Sequence, residues 1–288
     1  MSKHRGGVEV SPDVAKVRRV TSRNVSFQQW QALLSNRTKR HRAGEFLVQG
    51  VRPITLAVHA GWPVRTLLYD ASRPLSGWAS DLLAKVTAVR VAVAPDLLRE
   101  LGGKDDETPE LLAVVAMPPD ELSRIPVDAS FLGVVFDRPT SPGNIGSVVR
   151  SVDAFGGSGV IVTGHAADPY DPKSVRASTG SLFTVPVVRV PSYREVLAWV
   201  ESMRAQGVPL DILGTDESAD VDLADHDLTR PSLIVVGNET QGLSAAWRAA
   251  CDRVVKIPMM GSASSLNAAN AATVALYEAV RQRSRTRE

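Results

Sequence analysis

The sequence predicts an α/β protein of two units, a smaller α/β unit followed by a larger one built on a parallel sheet. Three observations carry this reading. Short apolar runs alternate with helix-like segments along most of the 288 residues, the pattern of sheets covered by helices. Two of the runs, residues 131–136 and 233–236, are almost continuously apolar, as strands buried on both faces are. Between the two halves, residues 117–126 hold three prolines and no strong period, which marks a linker.

Taken in order, residues 1–42 read as a basic arm. They hold ten Lys and Arg against Glu9 and Asp13, a balance of +8, so a net charge of +2 leaves −6 on the rest. Residues 1–25 are polar, lack a period and are expected to be mobile. Residues 26–34 form a short helix, with Phe27, Trp30 and Leu34 at helical spacing. The smaller unit spans residues 43–116. Its strands fall at 46–49, 65–69, 89–93 and 111–116, and its helices at 51–60, 78–86 and 95–102. Pro53 suits the first turn of its helix. The linker covers residues 117–129, and the larger unit residues 130–288. There, strands are expected at 131–136, 160–162, 185–190, 210–213 and 233–236, with a last apolar run ending at Ile257. Helices are expected at 144–155, within 173–183, at 193–203 and at 245–251. The apolar face of the first is Ile145, Val148, Val149 and Val152. An Ala-rich helix closes the chain, with Ser264 or Ser265 as its N-cap.

Composition narrows the function classes. At 44% apolar and 22% charged residues the chain has ample core material. No apolar run approaches the ~20 residues of a membrane span, and the first residues lack an apolar signal core, so a cytoplasmic protein without membrane contact is expected. One cysteine excludes an internal disulfide, and five scattered histidines offer no metal spacing, so no metal is expected. The basic arm is an electrostatic footprint for a polyanion, nucleic acid above all.

Two common nucleotide signatures fail. Gly157-Ser-Gly159 lacks a third glycine and precedes a strand. Gly237–Gly242 has the glycine spacing of a phosphate loop, but Leu243-Ser244 stands where a Lys-Ser/Thr pair would hold phosphate and metal. Three loops remain. In the first, Asn144 sits where it could cap a helix, and Arg150, six residues on, lies off the apolar face. In the second, Gly237 and Gly242 allow close backbone approach to a ligand, and Glu239 stands just past a strand's carboxyl end, where open α/β sheets bind ligands. The third runs from Ile257 through Ser265-Leu266-Asn267 into the Ala-rich segment.

In this order and spacing the three loops resemble the motifs of the SpoU family, RNA 2′-O-ribose methyltransferases of the knotted SPOUT superfamily. The resemblance covers residues 131–282 strongly and 36–116 weakly, where residues 45–52 resemble the family's amino-terminal substrate-binding domain. It implies a trefoil knot at the carboxyl end, which no periodicity could show, and a homodimer packed through that knot. It implies S-adenosyl-L-methionine as cofactor, against the backbone of Gly237, Ile257 and Leu266, with Gly214, Thr215, Asn238, Gly242 and Met259 lining the same pocket. Arg150 matches the catalytic arginine, and Asn144, Glu239, Ser265 and Asn267 match the supporting polar residues. A guanidinium is a poor base, so Arg150 is expected to stabilise the developing alkoxide; acting as the base itself is the alternative. Arg176, with Lys173 beside it, matches a further pattern that meets RNA phosphate or the partner's site. The arm residues Arg37, Lys39, Arg40 and Arg42, with Arg52, are expected to touch RNA. One departure is Ala268-Ala269-Asn270, where the family usually has Val-Ser-Val. The added amino-terminal unit favours 23S ribosomal RNA over tRNA. The chain also resembles the enzymes with which antibiotic-producing actinomycetes protect their ribosomes; that implies a uridine target and avilamycin as the drug, with thiostrepton as nearest alternative. Competing readings are a housekeeping rRNA or tRNA methyltransferase, a silent RNA-binding module of the same fold, and a nucleotide-dependent oxidoreductase.

Overall fold

A computed structural model describes residues 18–103 and 108–285. The first unit opens with β1 (Arg18–Val20), α1 (Val25–Ser35), α2 (Arg37–Ala43), β2 (Glu45–Gln49), α3 (Val51–His59) and β3 (Val64–Asp70). It continues with α4 (Gly77–Lys85), β4 (Val89–Val93), α5 (Pro95–Gly102) and β5 (Leu111–Ala116). The strands form one sheet in the order β1-β4-β3-β5-β2. β1, β4 and β3 run parallel, while β5 runs antiparallel to β3 and β2. β5 is buried along its whole length, which explains its unbroken apolar run.

The described part of the expected arm is folded into this unit. β1 extends the sheet from its edge, and α1 buries Phe27, Trp30 and Leu33 beneath it. Leu33, one residue before the expected Leu34, is the buried one. Asn24 caps α1, its side chain accepting from the Phe27 amide at 3.1 Å. The folded unit therefore begins by residue 18, not residue 43. Residues 1–17, which hold Lys3, Arg5 and Lys16 of the arm's ten cations, lie outside the described residues.

The second unit begins with β6 (Leu132–Asp137), α6 (Pro142–Ala154), β7 (Gly159–Thr163), α7 (Pro172–Ser178), β8 (Val187–Val190) and α8 (Tyr193–Ala205). It ends with β9 (Asp211–Thr215), β10 (Val221–Asp222), β11 (Ser232–Val236), α9 (Ala245–Ala250), β12 (Arg253–Lys256) and α10 (Ala268–Arg285). Its seven strands follow the order β10-β12-β9-β11-β6-β7-β8, and every described pairing is parallel. The apolar face of α6 is fully buried at Ile145, Val148, Val149 and Val152, worth roughly 2 kcal/mol per side chain. Gly146 brings α7 close, because a Cβ there would overlap the Ser174 carbonyl and lie 2.8 Å from Ala177 Cβ.

The linker is not a free tether. Ile125 is buried in the core of the second unit, and Asp120 pairs with Arg189 at 2.5 Å. The two units also share one core: Phe46 of β2 lies 4.9 Å from Tyr170 and 6.2 Å from Phe183, ring centre to ring centre. Among the described residues no helix is long and apolar enough to cross a membrane.

Candidate active site

Four loops leave the carboxyl ends of parallel strands on one side of the second sheet. They follow β6, β9, β11 and β12, and such crevices are where parallel α/β sheets take ligands. The loops after β9, β11 and β12 enclose a cavity of about 400 Å³. Thr215, Gly237, Asn238, Gly242, Ile257, Met259 and Leu266 all line it, with Ser264 and Ser265 beside them. Gly214 does not. It is buried in β9, where a Cβ would lie 2.8 Å from Leu243 Cδ2 and 2.9 Å from Cys251 Sγ, so its smallness admits the α9 end and not a ligand.

The glycine loop is fixed by its own backbone. Asn238 and Gly242 exchange amide and carbonyl hydrogen bonds at 3.0 and 2.9 Å. Asn238 Oδ1 accepts from the Thr240 and Gln241 amides, each at 3.0 Å. A Cβ on Gly237 would overlap the Gly242 carbonyl carbon and the Leu243 amide nitrogen, so only glycine fits.

Glu239 joins this loop to the one after β6. Its carboxylate accepts from the Thr140 amide at 2.9 Å, the Thr140 hydroxyl at 3.0 Å and the Ser141 amide at 3.1 Å. Asn144 Nδ2 donates to it at 3.1 Å. Burial pulls the carboxyl upward, yet the Thr140 amide, its own amide, the Asn144 side chain and the Ser141 amide together hold it below the usual range. An ionised carboxylate only accepts, so Asn144 must turn Nδ2 toward Glu239 and Oδ1 away. Asn267 Nδ2 then donates to Asn144 Oδ1 at 3.3 Å, and Asn267 Oδ1 accepts from the Ala269 amide at 2.9 Å. One directed polar chain thus links all three sequence motifs.

Two local expectations change. α6 starts at Pro142 with Ser141 as its cap, so Asn144 stands in the first turn with its side chain free to face Glu239. α10 starts at Ala268 and is capped by Asn267, not by Ser264 or Ser265, which line the cavity instead. Arg150 lies exposed on α6, about 9 Å along the axis from Asn144 by helix rise. It has no ion pair or hydrogen bond from its side chain among the described residues, and it is not in the cavity wall.

The segment after β6 also holds residues that periodicity passes over as a turn. Arg138 sits at φ 51°, rare for a residue with a side chain. Its Nε donates to Asp137 at 2.9 Å and its Nη1 to Gln241 Oε1 at 3.0 Å, while its carbonyl accepts from Asn238 Nδ2 at 2.7 Å. Asp216 and Arg248, a hydrogen-bonded ion pair, line the cavity too.

The expected RNA contacts divide. Arg40 is buried: Nε donates to Asp168 at 2.9 Å, Nη1 to the Leu33 carbonyl at 2.8 Å, and Nη2 reaches Asp171 at 3.4 Å. It pins the two units together and is closed to RNA, because a buried guanidinium needs its full set of acceptors. Arg37 and Arg52 are exposed but also bridge the units, to the carbonyls of Ala166 and Thr179 at 2.6 and 3.3 Å. Lys39, Arg42, Lys173 and Arg176 are exposed, with no ion pair or hydrogen bond from their side chains among the described residues.

Residues 132–277 match the SpoU rRNA Methylase family, and residues 24–113 match the SpoU L30e-like domain. A 23S rRNA (uridine(2479)-2'-O)-methyltransferase of Streptomyces viridochromogenes is 67% identical over 266 residues, 92% of this chain and 93% of that protein. The solved SpoU methyltransferase AviRb of Streptomyces viridochromogenes, in complex with AdoMet, has a TM-score of 0.88 at 67% identity and covers 91% of this chain and 98% of its own. An AdoMet-bound rRNA methyltransferase of Sinorhizobium meliloti has a TM-score of 0.81 at 26% identity, covering 92% and 98%. Matched across both units, with the polar chain and cavity at the carboxyl ends of its parallel strands, this protein belongs to the SpoU rRNA methylase family.

Proposed function

We infer that this protein transfers the methyl group of S-adenosyl-L-methionine to the ribose 2′-hydroxyl of a uridine in 23S rRNA. The observation that carries the reading is the chain Glu239–Asn144–Asn267 beside the cavity. It joins the three loops into one polar edge. The cavity suits the cofactor by its size and its lining. Its size falls in the usual range for small ligands. Gly237 leaves backbone bare where a Cβ has no room, and Ile257, Met259 and Leu266 offer apolar walls to a purine ring. When bound, S-adenosyl-L-methionine supplies an electrophilic methyl group on a sulfonium.

The chain's own residues do the rest. Glu239 has its oxygens engaged by four donors, so it orients Asn144 and carries no proton. Asn144 and Asn267 hold the edge where the ribose docks. Arg150, exposed on the same helix as Asn144 and without an ion pair among the described residues, meets the RNA and stabilises the negative charge that grows on the 2′-oxygen as its proton leaves to water. Ser265 closes the ribose side of the cavity rim. Lys173 and Arg176, with Lys39 and Arg42, hold RNA phosphates.

Finer features follow from the same reading. The segments on either side of β12 thread as a trefoil knot. Two copies pair through that region, where Tyr277 of α10 stands 56% exposed. The enzyme works in the cytoplasm, where ribosomes are, and its modification protects them from a ribosome-targeting antibiotic, with avilamycin first to be tested. Incubating 23S rRNA with tritiated S-adenosyl-L-methionine and mapping the label tests the activity. Label on one ribose 2′-oxygen is expected. Calorimetry that finds NAD bound and S-adenosyl-L-methionine unbound would overturn the reading. Inhibitory avilamycin concentrations for a susceptible host, with and without the gene, test the protection.

A further inference from the structure

The seam between the two units encloses a second cavity, of about 330 Å³. Its inner walls are apolar: Leu47, Leu101 and Leu112 face it from the first unit and Val175 from α7, and all four are buried. Its rim is cationic. Lys173 and Arg176 stand there exposed, with no ion pair or hydrogen bond from their side chains among the described residues. Arg176 Nη1 lies 3.6 Å from where Gly103 would carry a Cβ, so the guanidinium reaches across the mouth to the opposite unit. Asp171, the one carboxylate among the described lining residues, is already engaged by Arg40 at 3.4 Å and by the Lys173 amide at 2.9 Å. Gln49 presents a side-chain amide with no hydrogen-bond partner among the described residues.

We propose that this cleft holds one unstacked nucleotide of the RNA substrate, base inward and phosphate on Lys173 and Arg176. The proposal rests on the rRNA reading above. A base has apolar faces that gain from a dry slot, and an edge that an amide can read as both donor and acceptor. The phosphate needs cations, and the rim supplies two that have no ion pair among the described residues. Position adds to the argument. The helix that carries both cations, α7, packs on α6 at Gly146, between Asn144 and Arg150, with no room for a Cβ. A nucleotide fixed in the cleft therefore sets the register of the strand that reaches the active site. The cleft makes the L30e-like unit part of substrate selection, with one face of the slot coming from each unit.

Ser35 lies at the cleft and is exposed, so Ser35→Trp wedges the mouth without entering the core. The full chain is assayed on 23S rRNA with tritiated S-adenosyl-L-methionine. The wedge should raise KM for rRNA about tenfold, the scale of one lost base contact. It should leave kcat and KM for S-adenosyl-L-methionine unchanged. Lys173→Ala with Arg176→Ala should raise the same KM and lower the salt slope of binding by about 1.4, the loss of two single-strand phosphate contacts. Photocrosslinks from 4-thiouridine-substituted rRNA should fall on the peptides that hold Ser35 and Gln49. Normal rRNA KM in both variants overturns the proposal while the methyl-transfer reading stands. Crosslinks that fall only on other peptides overturn it as well. A wild-type chain that methylates no rRNA takes both readings down together.

Discussion

At the scale of single residues, the site depends on what side chains do and on where none can be. Arg150 offers a cation with no ion pair among the described residues, while the Glu239 carboxylate already accepts from four donors. Arg150→Ala should lower kcat by about 100- to 1000-fold, as loss of a charge-stabilising donor does, with KM for S-adenosyl-L-methionine unchanged. Arg150→Lys keeps the charge without the planar fork. Single-turnover rates should place it well below wild type, and a full rate for lysine would show that the fork is not needed. Gly237 is the opposite case. Gly237→Ala forces the Gly242 carbonyl and Leu243 amide apart. Binding of S-adenosyl-L-methionine should drop below detection by calorimetry, and the melting temperature should fall as well, because the displaced Leu243 belongs to the core. Retained affinity would mean that the loop can relax in ways its paired backbone does not suggest.

At the scale of elements, the loop after β6 and the loop after β11 act as one piece. Arg138 is held at φ 51° by bonds to Asp137, Gln241 and Asn238. Such a backbone costs about 1–2 kcal/mol, so its neighbours must hold it there. Arg138→Ala and Gln241→Ala should each weaken S-adenosyl-L-methionine binding several-fold, and the double variant should lose little more than either. A coupling of about 0.5–1 kcal/mol is expected, and strict additivity of the two losses would refute the link. None of this was legible in the sequence, where residues 138–143 read as a turn. What was legible had a local cause. The strand at residues 89–93 was expected where it lies, because its β-branched residues fill a sheet. The three motif loops were found because their glycines and polar residues repeat a known order. β1 was missed because three residues, Arg-Arg-Val, form a strand only through pairing with β4. α2 was missed because its sequence, RTKRHRA, has no apolar period. Its ends are set by Asn36, which accepts from the Lys39 amide at 2.9 Å, and by Gly44 at φ 64°.

At the scale of the whole molecule, the same α2 decides how the first and second units are held. Charge alone made Arg40 an RNA contact, but the fold buries it at 2% exposure against Asp168 at 3%. Two charges withdrawn from water are tolerated only while each satisfies the other. Burial raises the Asp168 carboxyl, but the His41 hydrogen bond, the Tyr170 amide and the charges of His41 and Arg40 outweigh it and hold it at about 2. A carboxyl lowered in the fold stabilises above its unfolded value, near 3.9, and loses that stability as pH falls toward 2. The contribution is on the order of 2 kcal/mol. Arg40→Met should therefore destabilise the protein by about 3–5 kcal/mol at neutral pH, because it strands a buried carboxylate. Adding Asp168→Leu should recover most of the loss, since an apolar pair has no charge to strand. If the clasp also sets the angle between the units, the recovered double variant should bind S-adenosyl-L-methionine normally yet show a raised KM for 23S rRNA. Denaturant melts between pH 2 and 7, read beside the two KM values, separate these effects. Equal acid sensitivity in wild type and double variant would show that Asp168 does not couple the units to pH.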